Sequence, residues 1–158
     1  VVDMKFNCEI KMTGSEKEAF CRMVDLMKEA GFSLFDHNGI IISLVFDGGH
    51  NGAIWNVPGN EIPDYFQRDL DCLHKGSIDD FYRDIENGCL KNVQFWREPG
   101  HNLFVTWQVK ENYVLYMIGL DGWKKEQAIQ IISGMVRFIL EFYKDARDLD
   151  TVFSLSTE

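Results

Sequence analysis

At 158 residues, 46% hydrophobic and 26% charged, the chain fits one globular domain that can bury a core without staples; disorder is excluded. Twenty-five acids against sixteen bases leave a formal charge of −9 and a pI near 4.9, so nucleic acid and anionic membrane surfaces are repelled as partners. No apolar run reaches membrane-spanning length.

Val1–Asp3 precede the first methionine and read as a remnant ahead of a natural start at Met4. Residues 5–12 alternate, with Phe6, Cys8, Ile10 and Met12 on one side, the mark of a half-buried strand. Thr13-Gly14 ends it. Ser15 with Glu18 spells a capping box, opening a helix that carries Phe20, Met23, Val24, Met27 and Ala30 on one face and stops at Gly31.

Phe32–Phe35 reads as a short strand, and Asn38-Gly39 as a type I′ hairpin turn. Ile40–Phe46 is a nearly continuous, β-branched apolar run and reads as a strand buried on both faces. A turn over Asp47–Gly52 leads to a strand near Ala53–Val57, closed by Pro58-Gly59. Asn60 and Pro63 then predict a helix offering Tyr65, Phe66, Leu70 and Leu73 for burial, up to a break at Gly76. Ser77 with Asp80 opens a second short helix that closes at Asn87-Gly88.

Leu90–Arg97, Leu103–Val109 and Tyr113–Leu120 read as three antiparallel strands. The longest helix, Trp123 to about Arg147, carries Ala128, Ile131, Ile132, Met135, Ile139, Phe142 and Tyr143 on one stripe, widened by Ile129, Val136, Phe138 and Leu140. The predicted fold is α+β in the order β-α-βββ-αα-βββ-α. It is one domain over 4–150 with a mainly antiparallel sheet, a long apolar C-terminal helix packed on one face, and a loosely held tail over 151–158.

Candidate chemistry is thin. Cys8, Cys21, Cys72 and Cys89 lack paired spacing, so no zinc or other metal site is expected, and Cys21 and Cys72 read as small buried hydrophobes in helices. Unpaired thiols and the lack of a secretory pattern point to the cytoplasm. His37, His50 and His101 all sit in predicted turns beside an Asn. His50, in a Gly-rich loop, is the best general-base candidate among them, with His101 second. That loop lacks the Lys and the following helix of a phosphate loop. No nucleophile elbow is present, and no cofactor is expected.

Two features stand out. Phe95, Trp96, Phe104, Trp107, Tyr113 and Tyr116 crowd the last three strands, and alternation sends rings to both faces; one set is core, the other either covered or a binding platform. Between Asn60 and Gly88, eight acids face three bases. A solvated helix face accounts for such a run, but acids interleaved with Tyr65, Phe66 and Tyr82 also suit a basic protein. On that reading Asp64, Tyr65, Asp69, Asp71, Asp79, Asp80, Tyr82 and Asp84 contact the partner, with charge speeding encounter and the rings holding the complex.

The expected function is an acidic protein-binding module of the inhibitor or immunity type. Such a module neutralises a basic partner, as bacterial immunity proteins neutralise toxin nucleases. The alternatives are a small-molecule carrier with a pocket between the sheet and the C-terminal helix, as in helix-grip folds, and a hydrolase-like enzyme using His50 or His101.

Overall fold

A computed structural model describes residues 4–12, 14–44, 52–60, 73–97, 102–142 and 151–157. The fold is α+β, built on a five-stranded antiparallel sheet. The alternation of β1 (Met4–Lys11) buries Phe6, Cys8 and Ile10 on one face, and β1 lies between β7 and β8 in the order β5-β6-β7-β1-β8. β5 (Asn92–Trp96), β6 (Asn102–Val109) and β7 (Tyr113–Gly119) form the expected meander, each antiparallel to the next. β7 pairs with β1, and β8 (Thr151–Thr157) pairs with the other side of β1.

The expectation of a loose tail over 151–158 is therefore corrected: residues 151–157 close the sheet. Their partner lies nearly the whole chain away, so no local pattern announces the pairing.

One face of the sheet is covered by α1 (Glu16–Glu29) and α3 (Lys125–Phe142). Ser15 caps α1 by accepting the Glu18 N–H at 3.2 Å, and Gly31, at φ +87°, turns the chain away after it. Phe20, Met23 and Met27 of α1 and Ile131, Met135 and Ile139 of α3 meet Phe6, Val105, Tyr116 and Ile118 of the sheet in one core. The two helices approach closely at Gly134, where a Cβ would lie 3.3 Å from the Ala30 Cα. The apolar stripe of α3 is narrower than the sequence implies. Ile129 is 52% and Leu140 63% exposed, because a straight helix on a flat layer buries only the side that meets it.

The segment between α1 and β5 builds a second, smaller sheet of β2 (Ile41–Ser43), β3 (Ala53–Trp55) and β4 (His74–Gly76). β2 and β3 are antiparallel, while β3 and β4 run parallel. Leu73–Lys75 was expected in a helix; His74–Gly76 instead pairs with Ala53–Trp55, a long-range ladder that overrides local propensity. α2 (Ile78–Glu86) follows and closes this unit.

Phe32–Phe35 contributes only a bridge between Ser33 and Trp96 rather than a strand. The turn at Asn38-Gly39 also departs from type I′. Only Gly39 has positive φ, at +81°, and the buried Asp36 carboxylate holds the loop by accepting the Asn38 and Ile40 N–H groups at 2.9 and 3.0 Å.

The two sheets meet at β2 and β5, where the Ser43 hydroxyl donates to Asn92 Oδ1 at 2.6 Å in a buried site. Phe95 enters the main core while Trp96 packs against a second cluster of Ile40, Ile42, Ile54 and Leu73, as their alternation requires. No described helix is long and apolar enough to cross a membrane.

Candidate functional site

α2 carries the described part of the acidic segment. Asp64, Tyr65, Asp69 and Asp71 lie outside the described residues, as do His50 and His101. The remaining four candidates share one helix but do different work. Asp79 is exposed in the first turn. Asp80 completes a capping box: its Oδ2 accepts the Ser77 N–H at 2.8 Å while its own N–H donates to Ser77 Oγ at 3.2 Å. Its Oδ1 accepts from Arg83 Nη1 at 2.8 Å. The Ser77 backbone N–H, then the Ser77 hydroxyl and Arg83, hold the Asp80 carboxyl below the usual aspartate range.

Tyr82 is half-buried, edge-on to Phe81 at 5.2 Å, with the Lys17 ammonium 5.0 Å from its ring centre. Burial pushes its hydroxyl pKa up.

Asp84 faces inward. Its Oδ2 accepts from Trp55 Nε1 at 3.0 Å and lies 2.9 Å from His74 Nε2. Its side chain is 16% exposed and ties α2 to β3 and β4. Trp55 in turn stacks edge-on to Phe81 at 5.1 Å. No spacing in the sequence links Trp55, His74 and Asp84; two strands and a helix bring them together. A carboxylate oriented toward an imidazole is half of an acid–base relay. Among the described residues, no group of three or more His, Cys, Asp or Glu side chains could hold a metal ion.

The thiols divide by position. Cys8 is buried, and desolvation pushes its pKa up to about 12. Cys21, expected inside the core, is exposed on α1, while Cys72 lies outside the described residues.

The second candidate is the sheet face opposite the helices. Alternation in β6 and β7 buries Leu103, Val105, Trp107, Val114, Tyr116 and Ile118 under α1 and α3, leaving Phe104, Thr106, Leu115 and Met117 half-exposed on the other side. Gly119 pairs with both Phe104 and Lys5, and its missing side chain leaves a dent in that face. The dent deepens into an open groove of about 230 Å³ lined by Lys5, Asn102, Phe104, Thr106, Met117, Gly119, Asp121 and Trp123. Asp121 is exposed at the rim, and Trp123 is braced from behind by the Arg97 guanidinium, 5.3 Å from its ring.

By contrast, the layer between the sheet and α3, where a carrier would keep its pocket, is filled by fully buried side chains such as Met135 and Ile139. Phe104 and Trp123 were legible as aromatics. The groove was not, because it depends on which strand lies beside Gly119.

No family model, curated protein or solved structure matches this chain.

Proposed function

We propose that this chain is a protein-binding module of the inhibitor or immunity type, acting on a basic protein partner through the half-exposed face of its five-stranded sheet opposite the two helices. The supporting observation is the groove over Gly119. At about 230 Å³ it falls below the roughly 300–1,000 Å³ of small-molecule sites, is open along one side, and has the scale of a single inserted side chain. Phe104, Met117 and Trp123 offer apolar contact to such an anchor, and Asp121 at the rim suits a Lys or Arg beside it. The formal charge of −9 steers a basic partner toward the molecule from a distance, with Asp79 as one exposed contributor.

This relocates the contact surface. Asp80 and Asp84 are engaged in holding α2, so the acidic helix supplies field rather than contact.

The test is recovery of a basic protein from extract of the source cells on immobilised wild type and on Gly119→Val. A Cβ at Gly119 meets nothing closer than the Phe104 carbonyl oxygen at 3.5 Å, so the Cβ of Val is accommodated by the strand and its methyl groups occupy the floor of the groove. The expected result is a basic protein held by wild type, lost on Gly119→Val, and associating more slowly with Asp79→Lys. Equal recovery on both proteins removes the sheet face from the contact, and retention of no basic protein overturns the proposal.

A further inference from the structure

Among the described residues β8 is the last strand of the sheet, and the backbone bonding shows what its outer edge offers. The Met4 carbonyl accepts from the Leu120 N–H, and the Met12 N–H donates to the Asn112 carbonyl. Even-numbered residues of β1 therefore turn their backbone groups toward β7, and odd-numbered ones toward β8. Lys5, Asn7 and Glu9 accordingly bond Ser156, Ser154 and Val152. The N–H and C=O groups of Thr151, Phe153, Leu155 and Thr157 face away from β1, and among the described residues β8 has a neighbouring strand on one side only.

Edge strands are normally blunted by lysine, proline, a bulge or shortness. β8 has none of these: seven residues, Thr-Val-Phe-Ser-Leu-Ser-Thr, pair with β1 in unbroken register without a charge or a proline.

The segment is also close to a palindrome in polarity. About a two-fold axis through Ser154, Thr151 falls opposite Thr157, Phe153 opposite Leu155, and Ser154 opposite itself. We infer that β8 pairs antiparallel with β8 of a second copy of this chain, joining two five-stranded sheets into one continuous ten-stranded sheet.

Charge selects this occupant. A basic strand finds no acid along β8 to pair with, whereas self-pairing sets neutral residues against neutral ones. The outward groups of residues 151, 153, 155 and 157 then form about eight inter-chain bonds, since each hydrogen-bonded pair exchanges two. An isologous two-fold of this kind closes on itself and does not propagate. The axis is perpendicular to the sheet, so both helical layers stay on one side and both Gly119 grooves on the other. The inference therefore stands apart from the proposed function.

Ser154 supplies the test. Its side chain is exposed and its backbone groups bond β1, so across the axis it forms a non-hydrogen-bonded pair with its own copy, Cα atoms about 4.5 Å apart. That separation is within disulfide reach. With exposed Cys21 changed to Ser throughout, Ser154→Cys is expected to give a disulfide-linked dimer on mild oxidation, many times faster than Gln130→Cys on the exposed side of α3.

In sedimentation equilibrium, wild type is expected at twice 18.3 kDa and Ser154→Lys, which sets like charges face to face, at 18.3 kDa. Added salt should strengthen the wild-type dimer by screening its net charge. A wild type that stays monomeric from micromolar to millimolar concentration overturns the inference. So does a dimer in which Ser154→Cys cross-links no faster than the α3 control.

Discussion

Asp84→Ala separates a structural carboxylate from a docking one. Asp84 Oδ2 receives the indole N–H of Trp55, a fully buried residue, at 3.0 Å. Removing the acceptor leaves that donor sealed from water, at a cost of about 1–3 kcal/mol. The second contact, His74 Nε2 at 2.9 Å, involves an imidazole whose side chain is 27% exposed and regains water, so its loss adds only about 0–1 kcal/mol. The sum, about 1–4 kcal/mol, corresponds to a fall of roughly 2–16 °C in melting temperature for a domain of this size. Asp84→Asn keeps an oxygen for Trp55 and should lose less. Urea unfolding followed by tryptophan fluorescence gives the midpoint, and an unchanged slope shows that stability alone has moved. Glu86→Gln, exposed at the far end of the same helix, serves as control and should stay within about 0.5 kcal/mol of wild type. An Asp84→Ala midpoint indistinguishable from wild type would refute the inward-facing role and return Asp84 to the surface.

Asp80 carries a pH signature. Its folded carboxyl sits below the ordinary value of 3.8, so its contribution is complete above that value and is lost as pH falls through the lower folded one. Acid titrations of stability for wild type and Asp80→Asn should therefore differ at neutral pH and converge in strong acid. Tyr116 is fully buried and its hydroxyl has no hydrogen-bond partner among the described residues, with desolvation raising its pKa. Tyr116→Phe should consequently be neutral or stabilising by about 1 kcal/mol in urea unfolding, whereas a loss of that size would reveal a bond to the hydroxyl. On α3, Ile131→Asp buries an unpaired charge and should abolish cooperative thermal unfolding, while Leu140→Glu at a 63% exposed site should change the melting temperature little.

Local patterns were sufficient where local physics decides. The period-two alternation of β1 assigned its buried face, whereas in β6 and β7 it separated two faces without saying which would be core; the strands themselves followed from their pattern and turns. Ser77 with Asp80 three residues on marked a helix start, and a full capping box forms there; at Ser15, where the box was expected, the hydroxyl accepts the Glu18 N–H. The apolar content of α3 announced a helix on the sheet, though not which of its residues would stay outside; Leu140 and Ile129 differ from Ile131 only in angle about the axis.

Tertiary structure decided what depends on distant partners. β8 is a strand because β1 presents an open row of backbone groups on its far side, and His74–Gly76 is a strand because Ala53–Trp55 does the same. The acidic segment shows the same limit. Composition counted the charges of α2 alike, but Asp79 stands in water, Asp80 closes a cap and Asp84 holds Trp55 and His74. The groove over Gly119 exists only because pairing sets that glycine between Phe104 and Lys5. A sequence fixes which groups a chain carries and how they alternate; desolvation and pairing, set by the neighbours that folding brings, determine what each group is free to do.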